Sequence, residues 1–324
     1  MRRSVVSLVT FVLSFTTCFS FYVNAQNFPS LPPNQLILPD ANQEIKLVWG
    51  GDSTNAKWDP YASLLIPVKL ANCSKQFYMQ FDLGAHSSLF YLDKLKEISL
   101  KYPTALQVTD STRKLYDFHI KSGNTEIVAK EIIVRHLNQS PIDWDKKNII
   151  IIGTLGADLI VNKVAIINYP KRKLFIGNSV PSKIQSGLQL TDFMLAGRSV
   201  LLPVFIKGKK TILYFDTGSS TFELITDQGT CLLLSAPGAI PSQYAVNSWG
   251  KMMTAKTFPS NDSLEIAFQK IPIRHVTYFE GFSDTQVSQM MKMGIGGMTG
   301  NRLFLNSILV LDTKNMKFGV KKVR

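Results

Sequence analysis

Two short strings hold the residues best suited to chemistry: Phe81-Asp82-Leu83-Gly84-Ala85 and Phe215-Asp216-Thr217-Gly218-Ser219. In each, an aspartate ends a hydrophobic run and a glycine follows two positions later. That context places a carboxylate at a strand-to-turn junction, within reach of backbone N–H groups. Two such carboxylates brought face to face cannot both ionise cheaply, so one pKa rises and a proton is shared between them. A pair in that state takes a proton from water and gives one to a leaving group, which is peptide hydrolysis without a metal. A single Asp-Thr-Gly is only a solvated turn; its duplication in the chain is what gives it weight.

The duplication extends well beyond the aspartates. Leu65-Ile66-Pro67-Val68 leads to Asp82 as Leu201-Leu202-Pro203-Val204 leads to Asp216, and Val134-Arg135-His136 is echoed by Ile273-Arg274-His275. The segment Gly156 to Ile176 aligns without gaps on Gly300 to Val320. The spacing between copies grows from 134 residues at the aspartates to 139 and then 144, so the landmarks keep their order and differ by small insertions. Ordered landmarks of this kind predict a duplicated domain with a pseudo-two-fold axis, across which repeated residues can meet. The elements that must position them are short β-rich runs: Leu64 to Leu70, Phe77 to Phe81, Glu126 to Arg135 and Val164 to Asn168. Helices are brief, at Leu92 to Lys101 and Ser283 to Lys292, the latter with capping-box spacing at Ser283 and Gln286 and Gly294 as its stop.

The string Tyr214 to Ser220 resembles the active-site motif of aspartic peptidases of the pepsin and retropepsin type. The resemblance spans about 260 residues and is stronger in the second half. It implies an all-β, bilobal pepsin-like fold made of two duplicated retropepsin-like β-barrel lobes. It also implies that Asp82 and Asp216 are catalytic, supported by Gly84, Ala85, Thr217, Gly218 and Ser219. Ile151-Ile152-Gly153 and Ile295-Gly296-Gly297 fit the hydrophobic-hydrophobic-Gly segments that thread beside the dyad. The implied substrate is a peptide or protein bound extended between the lobes of a monomer, with no cofactor and no metal, at a pH below neutral.

Several residues depart from the family pattern. Leu83 stands where Thr or Ser is expected, and leucine can neither donate nor accept the cross-lobe hydrogen bond made there. Tyr116, ahead of the turn Ser122-Gly123-Asn124, is the candidate flap residue, with an ordinary half-buried strand tyrosine as the alternative. Residues 26–60 hold only Lys46 and Lys57 against four acids, so no basic inhibitory pro-segment is evident. These departures leave a second reading open, a catalytically impaired peptide- or protein-binding module of the same fold.

Composition narrows the remaining classes. Of 324 residues 45% are hydrophobic and 18% charged, which fits a folded globular chain of two lobes. The net charge is +13, but its basic residues are scattered rather than grouped, which argues against nucleic acid as partner. Arg2-Arg3, an apolar run from Val5 to Val23 and Ala25 read as an export signal, so a secreted, periplasmic or luminal protein with no membrane segment after cleavage is expected. The divisions are a signal at 1–25, an extended leader at 26–60, an N-terminal lobe at 61–180, a linker at 181–198 and a C-terminal lobe at 199–324. Cys73 and Cys231 are too few for a disulfide scaffold and lack zinc-site spacing; a bridge between them is open. Gly294 to Gly300 lacks the GxGxxG spacing, and no serine sits in a GxSxG elbow.

Overall fold

The computed structural model describes residues 10–11, 31–54, 57–145, 148–248, 251–281 and 294–323. The helix expected over Ser283 to Lys292 and most of the expected export signal lie outside these residues. Thr10–Phe11, inside that signal, pairs in parallel with Asn247–Ser248.

Two large sheets carry the aspartates, and they are built alike. In the first, the strand Phe77–Phe81 alternates Phe77, Met79 and Phe81, all fully buried, with Tyr78 and Gln80 on the opposite face. It pairs antiparallel with Lys57–Leu70 and parallel with Ile151–Leu155, whose far side takes Leu89–Tyr91. In the second, Lys209–Phe215 pairs antiparallel with Ser199–Ile206 and parallel with Ile295–Thr299, whose far side takes Leu224–Thr226. In both, the chain leaving the aspartate strand must cross the end of the middle strand before it pairs again. The crossing leaves no room for a side chain: a Cβ on Gly156 would lie 2.6 Å from the Ala85 carbonyl oxygen, and one on Gly300 1.7 Å from that of Ser219.

A third sheet joins the two halves. Its six strands run in the order Thr191–Asp192, Lys317–Lys322, Ser307–Asp312, Val164–Asn168, Lys173–Gly177 and Gln43–Lys46. The central pair is antiparallel with Ile166 opposite Val310. Since 310 − 166 = 144, the spacing of the sequence repeat at this point, the pseudo-two-fold axis passes between these two residues. The main core runs through both halves, uniting Phe77, Phe81, Phe90, Phe215, Phe304 and Phe318.

The stretch expected to be an unpacked leader is built into the sheets from residue 36 onward. Leu36–Ile37 edges the first sheet, Gln43–Lys46 edges the third, and Val48–Thr54 forms a hairpin with Lys57–Leu70. Ile45 and Leu47 are fully buried, which outweighs the local effect of the prolines that suggested a loose chain. The linker region also holds short elements, a helix at Ser182–Gln185 and strands at Thr191–Asp192 and Met194–Ala196. The Leu92–Lys101 helix forms as expected and buries Leu92, Leu95 and Ile98. Cys73 and Cys231 are both buried free thiols, so no bridge joins them.

Candidate active site

Asp82 and Asp216 meet at the junction of the two large sheets, each fully buried. Each inner oxygen is held by backbone N–H groups. Gly84 N–H donates to Asp82 Oδ1 at 2.9 Å and to Asp216 Oδ1 at 3.1 Å, and Gly218 N–H donates to Asp216 Oδ1 at 2.7 Å. Ala85 N–H adds a 3.2 Å bond to Asp82 Oδ1. The turns interlock because their glycines lack side chains: a Cβ on Gly84 would fall 2.5 Å from Asp216 Cγ, and one on Gly218 2.5 Å from Asp82 Oδ1. The outer oxygens, Oδ2 of both residues, make no hydrogen bond to the protein.

Burial pushes the Asp82 carboxyl up to about 6, against the lowering effect of hydrogen bonds from Asp216, Gly84, Ala85 and Gly218. Burial, followed by the charge and hydrogen bond of Asp82, raises Asp216 well above the carboxylate range. The two carboxylates converge on one donor, since Gly84 N–H reaches Oδ1 of both. Both shifts favour protonated forms, so the two carboxyls titrate as one coupled pair.

Beneath the carboxylates, Thr217 spans the two halves. Its Oγ1 accepts from Leu83 N–H at 2.8 Å and donates to the Phe81 carbonyl at 2.7 Å. Pseudo-symmetry would place a second such hydroxyl at residue 83, on Thr217 N–H and the Phe215 carbonyl, but leucine stands there. Leu83 is fully buried in the main core. Burying that side chain contributes about 2 kcal/mol, at least what one net hydrogen bond of about 1 kcal/mol would. The half grip and the buried leucine together keep the carboxylates in contact; Leu83 does not hold the first turn away.

Other expected residues fall elsewhere. Ile151-Ile152-Gly153 and Ile295-Gly296-Gly297 lie on the correct strands but too early, since Gly153 pairs with Met79 and Gly297 with Leu213. The segment touching the turns comes three residues later: Asp82 N–H donates to the Leu155 carbonyl and Asp216 N–H to that of Thr299, each at 3.0 Å. Tyr116 is 64% exposed on the strand Lys114–Ser122, opposite Glu131. The hairpin tip at Gly123 and Asn124 lies beside Lys46 and Lys171 at the edge of the six-stranded sheet, so this hairpin does not cover the dyad.

Sequence reasoning missed four supports. Asp158 accepts from Ser88 N–H and Oγ, both at 2.7 Å, closing the loop after Asp82. Tyr214 OH donates to the Gly84 carbonyl at 3.2 Å. Asn301 donates to the Thr217 carbonyl at 2.6 Å and to Ser220 Oγ at 2.7 Å, and it accepts from Tyr169 OH at 2.7 Å. Finally, the hairpin Ser242–Ser248 with Lys251–Pro259 packs Val246, Met253 and Ala255 against Tyr214 and Met298. Tyr214, which this hairpin packs on, lies on the strand Lys209–Phe215, two residues before Asp216.

No protein-family model and no curated protein matches the sequence. Among solved structures, the chain is similar to the crystal structure of the aspartic proteinase from Irpex lacteus, with a TM-score of 0.52 over 87% of this chain and 98% of that one. Identity is 12%, so the likeness speaks to architecture: an all-β, bilobal pepsin-like fold.

Proposed function

We propose that the protein is an exported aspartic endopeptidase in which Asp82 and Asp216 activate a water against a peptide carbonyl. The observation that carries this reading is the convergence of two fully buried carboxylates on one Gly84 N–H, with outer oxygens that have no protein partner. Asp82 takes one proton from water as the new C–O bond forms, while Asp216 gives its proton to the carbonyl oxygen. The tetrahedral diol then collapses: the C–N bond breaks, the amine leaves with the proton from Asp82, and a diol hydroxyl returns one to Asp216. The products are a carboxylic acid and an amine, and the pair is restored to its single-proton state. Thr217 and the glycine N–H groups hold both carboxylates through these exchanges without moving.

The substrate is an extended peptide lying between the lobes, gaining main-chain hydrogen bonds there. Among the described residues no helix is long and apolar enough to cross a membrane, and export rests on the Arg2 to Ala25 segment. Leu83 favours a second reading, a peptide-binding module that does not cleave, because it removes half of the grip beneath the dyad.

Digestion of a mixed peptide library followed by mass spectrometry separates the two readings. Wild type is expected to cleave, and Asp82→Asn and Asp216→Asn each to lose at least about 1,000-fold in rate, since neither variant can both take and give a proton. A folded wild-type protein that binds peptides but cuts none between pH 3 and 8 would establish the binding module instead.

A further inference from the structure

We infer that Tyr169, acting through Asn301, is a positioning residue that replaces the cross-lobe anchor lost at Leu83. This inference rests on the endopeptidase reading for its kinetic consequence, though its structural basis stands apart from it.

The hydroxyl missing at residue 83 would have anchored the second turn, at Thr217 N–H and the Phe215 carbonyl, as Thr217 anchors the first at Leu83 N–H and the Phe81 carbonyl. The turn deprived of its partner is therefore the one that carries Asp216. That same turn receives an additional support. Asn301 Nδ2 donates to the Thr217 carbonyl and to Ser220 Oγ, and Ser220 Oγ donates in turn to the Thr217 carbonyl at 3.0 Å. Asn301 Oδ1 accepts from Tyr169, which follows the strand Val164–Asn168 in the first half of the chain. Tyr169 and Asn301 are both buried, so every polar atom in the relay is committed to a partner rather than to solvent.

The counterparts in the other copy lack this relay. By the 144-residue offset, Asn301 corresponds to Ala157, which has no polar atom to reach the Asp82 turn. Tyr169 corresponds to Thr313, whose Oγ1 stops at the carbonyls of Ile160 and Lys163, at 2.5 and 2.9 Å. The long reach thus occurs only where the grip is broken. Tyr169 is itself fixed by stacking between Trp49 and Phe304, each ring at 6.3 Å, so its hydroxyl has one position.

The test is a double-mutant cycle of Tyr169→Phe and Leu83→Thr. Phenylalanine keeps the stacking and removes only the hydroxyl, so the fold is retained, as thermal melts will verify. The relay predicts that Tyr169→Phe lowers kcat about tenfold or more with KM within about twofold. Leu83→Thr, by restoring the second grip, should return the double variant to within about threefold of Leu83→Thr alone. A kcat unchanged in Tyr169→Phe, or a loss that is the same in both backgrounds, overturns the inference. Should wild type cleave nothing, the pH dependence of Tm decides without activity. The inflection set by the shared proton should move by about half a pH unit or more in Tyr169→Phe and return in the double variant. An inflection that stays in place shows Tyr169 to be structural only, whatever becomes of the peptidase reading.

Discussion

Thr217 is the residue on which the two carboxylates most depend, because its single hydroxyl makes both bonds of the surviving grip. Thr217→Val keeps the shape and leaves Leu83 N–H and the Phe81 carbonyl unpaired, at a cost of about 1–3 kcal/mol for each buried group. Denaturant unfolding should show a loss of about 2–6 kcal/mol for the two groups together, and peptide cleavage should fall about 100-fold if the dyad shifts by about 1 Å. Protonation gives a second residue-scale prediction. Both dyad pKa values are raised, so the fold favours the protonated form: the associated stability is complete below the ordinary value of 3.8 and is lost as pH rises through about 6, where Asp82 ionises. Wild-type Tm should accordingly fall between about pH 4 and 7 relative to Asp82→Asn, while the cleavage rate rises through about pH 6. A rate maximum near pH 3 would contradict this. The sequence shows which aspartates recur but not how completely they are buried, and burial is what raises both carboxyls. Leu83 was legible as a departure; that it packs into the core instead of separating the turns depends on neighbours far away in the chain.

Strands were the most readable elements, because alternation and β-branched runs mark them locally: Phe77–Phe81 and Val164–Asn168 occur with the bounds the sequence suggested. The segment beside the dyad was not readable to the residue. Ile151-Ile152-Gly153 is followed at once by Thr154-Leu155-Gly156, and only the parallel register with Phe77–Phe81 selects the second glycine. The direction of the first-half hairpin was unreadable for a related reason. A turn string such as Ser122-Gly123-Asn124 predicts a hairpin but not the direction in which it projects, and the copies diverge most at this point. The hairpin Ser242–Pro259 of the second half packs in one cluster with Tyr214, two residues before Asp216, while the tip of the Lys114–Ser122 hairpin lies beside Lys46 and Lys171. Excising residues 246–253 and joining Ala245 to Thr254, which are paired, through an Asn-Gly turn should leave the rest of the sheet intact. Cleavage of extended peptides is expected to fall at least about tenfold in kcat/KM, with a melting transition still cooperative. Unchanged kinetics would mean that this hairpin does not close on substrate.

At the scale of the whole molecule, residues 36–54 belong to the folded body. Gln43–Lys46 completes the six-stranded sheet opposite Thr191–Asp192, so each half contributes three strands to it, the outer one in each case coming from chain that precedes a lobe. Asp59, on the hairpin that follows, forms an ion pair with Arg302 across the lobes, and Trp49 stacks on Tyr169. Prolines and sparse periodicity made this region look loose because the partners of Leu36–Ile37 and Gln43–Lys46, Thr125–Arg135 and Lys173–Gly177, lie more than about 80 residues away and leave no local trace. A chain starting at residue 48 would lose Leu36, Ile45 and Leu47 from the core, each worth about 1.5–3 kcal/mol. That sum approaches the total of about 5–15 kcal/mol that holds a typical domain together. Such a truncation should therefore unfold or melt far below the full chain. The N-terminus of the protein recovered from cells, read by mass spectrometry, is expected before Leu36. An active form beginning after Leu47 would show instead that the edge strand is a pro-segment, released to open the cleft.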